Sequence, residues 1–314
     1  MYLFDLAPIH GRLLVRAMRA VAVADGTETE KERALLEVAR DAFGFTEPTD
    51  TFAPLDPETD RAELDGLSPV DRERVVQSML LMAIMDGAGA REEAALVERV
   101  AAHLGVDEPR VHNLRQLAEG RVRFMHLDLA RKGYARAELL ATAREEGVRG
   151  LLMTFGPLVG LGKDPEIARR YIALGELPAG TVGRTYFDLV TRNDLQFPGE
   201  GPIGERGVWH DMIHVVGGYD VDPRGEAEVV AFMAGFRRED PFFWVFTSVL
   251  QFQVGLRLSP FAPGVPARID PRAYMRHFER GSKVTCDLSR DWDFRADFAT
   301  ALVDVQRRYN VLPL

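Results

Sequence analysis

Ala24-Asp25-Gly26, followed by Glu32, returns as Met85-Asp86-Gly87, followed by Glu93. The offset is 86 − 25 = 61, and at that offset Leu35 matches Leu96, Leu36 matches Val97, Phe43 matches Leu104 and Gly44 matches Gly105. Each copy reads as an apolar helix running into Asp-Gly, then an amphipathic helix closed by glycine. Leu35, Leu36, Ala39 and Phe43 fall on one helical face, and Leu96, Val97, Val100 and Leu104 repeat that face in the second copy. Thr27 and Glu30 have capping-box spacing, and Gly44 suits a helix stop. Neither hairpin can bury its stripe alone, so the two are expected to bury them against each other in a compact helical bundle. The connector, 46–71, holds Pro48, Pro54, Pro57 and Pro69 among many acidic residues and reads as a surface loop.

Outward from the repeat the pattern stays helical. Residues 108–118 and 121–146 read as two more helices, the second interrupted near Gly133; His112 and His126 lie there without ligand-type neighbours. Residues 151–162 are apolar but carry Gly156, Pro157, Gly160 and Gly162, as a buried irregular segment or a flexible entry to a second domain would. Further helices are expected over 165–174, 183–192, 208–216, 223–236, 241–258, 271–281 and 291–309. The fold class is therefore all-α, with two helical domains, 1–147 and 148–314.

A chain of 314 residues is long enough for two cores, and 46% hydrophobic with 28% charged residues is ordinary for a globular protein. The net charge of −9 argues against a general nucleic-acid binder, whose phosphate contacts need a basic surface. The single Cys286 excludes an internal disulfide framework and any multi-cysteine metal site, and fits a cytoplasmic setting. No stretch approaches the roughly 20 apolar residues a membrane span needs, so any membrane contact is expected to be peripheral.

Trp209-His210-Asp211-Met212-Ile213-His214 places two histidines four apart, on the same face of a helix. Glu226 follows after eleven intervening residues. Gly217-Gly218 stops the helix, Asp222 can cap the next one with Pro223 at its first position, and that helix can fold back to bring Glu226 within reach. Asp211 is rotated about 100° from His210. It can coordinate a metal lying between the two directions, or hold a ligand from behind. His210, Asp211, His214 and Glu226 together suit a divalent metal such as zinc; the alternative is a histidine pair packed near a glycine turn. A zinc protease is disfavoured because Asp211 stands where that motif has glutamate. In 241–258, the most apolar stretch, Phe242, Phe246 and Leu250 belong either to a core helix or to the wall of a lipid-sized groove.

Two resemblances give these features names. The doubled Asp-Gly stretch, over roughly residues 10–105, resembles the TerB-like domains named for tellurite resistance, which are helical and fused to many partners. That resemblance implies metal binding by Asp25, Glu32, Asp86 and Glu93; ordinary turn chemistry is the competing reading. The second half, about 164–309, resembles the Coq-four family of ubiquinone (coenzyme Q) biosynthesis. The residues that carry it are His210-Asp211-x-x-His214 with Glu226 after Gly225, and Leu177-Pro178-Ala179-Gly180-Thr181-Val182-Gly183-Arg184 with Tyr186. It implies a helical fold, a divalent metal, zinc above all, and a groove for a polyprenyl quinone precursor or related isoprenoid lipid. It implies peripheral contact with the inner face of the cell membrane, association with other quinone-biosynthesis proteins or with a second copy of the chain, and oxidative decarboxylation of a ring carboxylate, a lyase-type reaction. The alternatives are a non-catalytic lipid-presenting scaffold and a TerB-type stress-response module. The chain departs from the second family in carrying the repeat in front and in the acidic Asp220-Val221-Asp222 after its glycine turn.

Overall fold

The computed structural model describes residues 2–87, 89–132, 164–200, 205–258 and 263–314. The expected domain boundary at 147/148, the apolar segment 151–162 and the end of the 121–146 helix lie outside them. Fourteen α-helices and no strand occur among the described residues. The first seven are α1 (Pro8–Ala22), α2 (Glu30–Ala42), α3 (Arg61–Asp65), α4 (Pro69–Met85), α5 (Arg91–Leu104), α6 (Pro109–Ala118) and α7 (Val122–Lys132). After these come α8 (Pro165–Ile172), α9 (Val182–Arg192), α10 (Val208–Gly217), α11 (Pro223–Phe236), α12 (Pro241–Val249), α13 (Pro271–Ser282) and α14 (Leu302–Arg308). The chain is all-α.

It divides into two compact units. One comprises Met1–Leu129 and Glu239–Glu279, the other Ala130–Arg238 and Arg280–Leu314. Residues 239–279, expected in the second half of the chain, thus belong with the repeat.

In the first unit the internal repeat is a structural one. α1 and α4 both start at a proline, and α2 and α5 start in the same register (69 − 8 and 91 − 30 are both 61). α1 packs on α4, α2 on α1 and α5 on α4. α4 is the centre: every residue from Val75 to Met85 is buried. The stripes close as periodicity requires, with Leu35, Leu36, Ala39, Val97 and Val100 fully buried. Each amphipathic helix ends at a left-handed glycine, Gly44 at φ +72° and Gly105 at φ +64°.

Three local expectations are corrected. The capping box is Thr29 with Glu32, not Thr27 with Glu30: the Thr29 amide donates to Glu32 Oε2 at 2.8 Å and the Glu32 amide to Thr29 Oγ1 at 3.3 Å. Thr27 is already engaged, its amide donating to Asp25 Oδ1 at 2.8 Å in the Asp-Gly turn, so the helix starts later. The connector is not a free surface loop. It contains a 3₁₀ turn, Thr49–Thr51, and α3, and it buries Phe52, Leu55, Leu64 and Leu67. Arg16 and Arg19 of α1 hold it through Asp60 at 2.6 Å and the Thr49 carbonyl at 2.6 Å. The 241–258 helix is α12 followed by a π turn, Leu250–Val254, that closes at Gly255.

The second unit carries α8 to α11 and α14. Residues 291–309 form a helix only over α14. Before it, aspartates supply local acceptors that compete with helical hydrogen bonds: the Asp287 amide donates to Asp291 Oδ2 at 3.2 Å, the Arg295 amide to Asp293 Oδ1 at 3.2 Å, and Trp292 Nε1 to Asp297 Oδ2 at 2.9 Å. The segment then meets Thr181 in an isolated antiparallel bridge at Ala301.

Candidate metal centre

α10 and α11 build the centre. α10 ends where Gly218 takes φ +76°, a conformation that favours glycine. Asp222 caps α11, its Oδ1 accepting from the Gly225 amide at 2.7 Å, with Pro223 at the first turn. α11 packs beside α10. The capped start leaves Glu226 in the first turn of α11, facing the two histidines. His210 Nε2 and His214 Nε2 are 3.2 Å apart, His210 Nε2 is 3.3 Å from Glu226 Oε2, and His214 Nε2 is 3.3 Å from Glu226 Oε1.

Those three separations can be tested against a metal. Zinc holds nitrogen and oxygen donors at about 2.0–2.2 Å, so the edges of its tetrahedron are about 3.3–3.6 Å. The imidazole pair at 3.2 Å lies within about 0.1 Å of that range, and each imidazole is 3.3 Å from a different oxygen of Glu226, so the carboxylate straddles the pair. Among the described residues His210, His214 and Glu226 are the one set of three such donors within 4.8 Å of one another. The residues fit the ion.

No family model and no curated protein matches the chain. The centre therefore rests on its own geometry. The His214 side chain is 1% exposed, whereas those of His210 and Glu226 are 30% and 23% exposed, so the cluster is sealed on one side and reachable from the other. A three-donor site with access on one side leaves a position for a further ligand.

The electrostatics follow from burial and pairing. Burial pushes the Glu226 carboxyl up, but hydrogen bonds to His210 and His214 and their charges outweigh it and bring it down to about 2. For His210 burial lowers the affinity for a proton, and the hydrogen bond and charge of Glu226 reverse this, leaving a net rise. Asp211 is raised to about 6, chiefly by burial, with the two histidines opposing. Asp211 stands outside the three-donor set, as its rotation around α10 requires. It lies beside the three converging donors rather than among them.

The other predicted residues lie in the first unit. Phe242, Phe246 and Leu250 are completely buried in its core, with α12 packed on α4. Their complete burial accords with the core-helix reading rather than with an exposed lipid wall. Of the four repeat carboxylates, Glu32 and Glu93 come together: both are 1% exposed and each carboxyl lies in the other's field. Glu93 Oε2 also accepts from the Ala90 amide at 2.7 Å, as Glu32 accepts from Thr29. Asp86 and Asp25 act on Glu93 through their field, and Asp25 is exposed at its turn. A cleft of about 440 Å³ in this unit is lined by Arg91, Glu98, Arg115, Glu119 and Arg121, and contains none of the predicted site residues.

Sequence reasoning assigned no role to two further residues near the histidines. Arg237, 3% exposed, lies over the Trp209 ring at 5.6 Å, and that ring meets His210 edge-on. Tyr186 is wholly buried on α9, which packs against α10. Its placement explains the 177–184 run. Gly180 turns at φ +82°, and Thr181 caps α9. The Gly183 amide donates to the Phe298 carbonyl at 2.9 Å, and a Cβ there would lie 3.0 Å from that oxygen and 2.8 Å from Leu177 Cδ1.

Proposed function

We propose that this chain holds a divalent metal, zinc by the chemistry of the donors, at His210, His214 and Glu226. The observation that carries the reading is the convergence of His210, His214 and Glu226, whose two Nε2 atoms lie 3.2 Å apart and each 3.3 Å from one of the two Glu226 carboxylate oxygens. The role that goes with it is in quinone biosynthesis: the centre takes the oxygen-bearing head group of a polyprenyl quinone precursor or related isoprenoid lipid. The likeness of 164–309 to the Coq-four family supports that role. A bound metal would supply Lewis-acid polarisation of such a head group, the requirement of a reaction that removes a ring carboxylate. On this chain's side, His210 and Glu226 bind at the accessible face, His214 anchors from the buried face, and Asp211 sets the field behind them.

Peripheral attachment to the inner face of the cell membrane fits such a substrate, and no helix among the described residues is long and apolar enough to cross a membrane. A second reading keeps the lipid but not the chemistry: the chain is a non-catalytic lipid-binding scaffold whose metal is a structural clip between α10 and α11, which the near-complete burial of His214 favours. His210→Ala separates them. The full-length variant is expected to keep its helical circular dichroism, lose its equivalent of bound zinc and lose quinone production in cells. A folded, metal-free variant that still supports full quinone synthesis sinks the enzymatic reading.

A further inference from the structure

Of the two histidines, His210 is the one whose direction still needs a cause. His214 is 1% exposed and held by the core around it, whereas the His210 side chain is 30% exposed. Among the described residues every hydrogen bond of the His210 ring runs through Nε2, to Glu226 at 3.3 Å and to His214 at 3.2 Å. A metal at that nitrogen would replace both. A ligating imidazole is ordinarily oriented by a hydrogen bond from its other ring nitrogen, and Nδ1 of His210 makes none among the described residues.

Aromatic contacts flank the ring instead. The His214 ring lies 4.9 Å away at 78° and the Trp209 ring 5.8 Å away at 82°, near the perpendicular arrangement that aromatic pairs favour. The Trp209 indole is itself only half-buried, so it needs a support of its own. Arg237 supplies one. It is 3% exposed, its amide donates to the Met233 carbonyl at 3.1 Å, and its guanidinium carbon lies 5.6 Å from the centre of the indole. A guanidinium at that distance is attracted to the ring face, more strongly out of water. Trp209 stands in the first turn of α10 and Arg237 directly follows α11. Their contact therefore ties the two helices at the end opposite the Gly217-Gly218 turn, with the three donors between.

We infer that Trp209, pinned beneath Arg237, sets the rotation of the His210 ring and so aims its Nε2 at the metal. Trp209 and Arg237 are positioning residues, and this inference rests on the metal reading above.

The test uses the full-length protein, with zinc calorimetry and the visible absorption of the cobalt-loaded protein, whose bands follow ligand geometry. Wild type is expected to bind zinc. Trp209→Leu and Arg237→Met are each expected to keep helical circular dichroism, to shift the cobalt bands and to bind zinc at least about tenfold more weakly, as loss of an orienting neighbour does. Arg237→Lys keeps a cation over the ring and is expected to stay within about threefold of wild type, with wild-type cobalt bands. Where Arg237→Met does not fold, Trp209→Leu decides alone. Unchanged zinc affinity and cobalt bands in either folded variant overturn the positioning role. Weaker zinc binding with wild-type bands overturns it as well, since a merely loosened fold gives that result. So does tighter zinc binding by Arg237→Met, the mark of a guanidinium acting on the metal as a like charge. A folded Arg237→Lys as weak as Arg237→Met overturns the pinning by a cation. Each of these outcomes leaves the metal reading intact, whereas failure of wild type to bind zinc overturns both.

Discussion

Glu32 and Glu93 are the matched residues of the repeat, and each does two things. Each reaches back to an amide at its own helix start, and each meets the other's carboxyl in the interior. Burial, then the fields of Asp86, Glu32 and Asp25, raise Glu93 to about 9, and burial also raises Glu32. A carboxyl whose folded value lies above its unfolded value binds more protons in the native state. Its contribution to stability is therefore full below the ordinary value of 4.5 and is lost as the pH rises towards 9. Thermal melts of wild type are expected to fall between pH 6 and pH 9, with a slope of up to about 1.4 kcal/mol per pH unit for one proton. Glu93→Gln, which keeps the shape and removes the titration, is expected to flatten that fall. An unchanged slope in the variant places the proton elsewhere, and a chelation-induced drop at pH 8 that Glu93→Gln abolishes returns these carboxylates to the metal reading. The repeat made Glu32 and Glu93 legible as equivalent positions, but their meeting depends on how α2 and α5 approach through α1 and α4. His210, His214 and Glu226 were more fully legible, because one helical turn, a glycine stop and a capped helix are all local features. The burial of Tyr186 was not, since which face of α9 meets α10 is a long-range outcome.

At the scale of the element, the turn from α10 to α11 does the positioning. Gly218 supplies the left-handed residue, and Gly225 lets α11 start tight against the chain, since a Cβ there would lie 2.0 Å from the Asp220 carbonyl oxygen. Gly225→Ala must therefore push the first turn of α11 away and carry Glu226 with it. Asp222→Ala removes a cap and leaves the path of the chain intact, at about 1 kcal/mol. The two variants are expected to differ in kind. Asp222→Ala lowers the melting temperature with zinc affinity nearly unchanged, whereas Gly225→Ala also weakens zinc binding by at least about tenfold, as a displaced ligand does. Paired calorimetry and thermal melts check this, and equal zinc affinity in the two proteins refutes the positioning role of Gly225. The elements read correctly from sequence were those with both a stripe and a local stop, such as α11 with Asp222, Pro223 and a limit at Phe236. Those read wrongly had side chains that outbid the helix. Asp25 takes the Thr27 amide and delays α2, and Asp287, Asp291, Asp293 and Asp297 turn much of 291–309 into capped turns.

At the scale of the whole molecule, sequence order and spatial unit part company. Residues 239–279 lie far from the repeat in the chain yet complete its unit. The reason is apolar surface. α4 is buried over a continuous run, which two hairpins cannot cover, and α12 packs on it with Phe242, Val245, Phe246, Val249 and Leu250 all fully buried. Polar contacts fix the join. Arg110 pairs with Asp240 at 2.7 and 2.8 Å where α12 begins, and Lys31 Nζ donates to Gln253 Oε1 at 2.7 Å and to the Ile269 carbonyl at 2.8 Å. No local pattern announces this, because a fully apolar stretch reads the same whichever core receives it. The consequence is testable by truncation. Each of the large apolar side chains contributed by α12 is worth about 1.5–3 kcal/mol when buried, so losing several of them approaches the whole stability of a domain. A fragment of residues 1–147 is therefore expected to retain helical circular dichroism, to melt without a sharp transition and to bind a hydrophobic dye, as a loosened core does. Adding a peptide of residues 239–279 is expected to restore part of the cooperative transition. A fragment 1–147 that melts as sharply as the full chain, with no gain from the peptide, shows that the repeat closes its core alone, and only then could a TerB-type module act by itself in this protein.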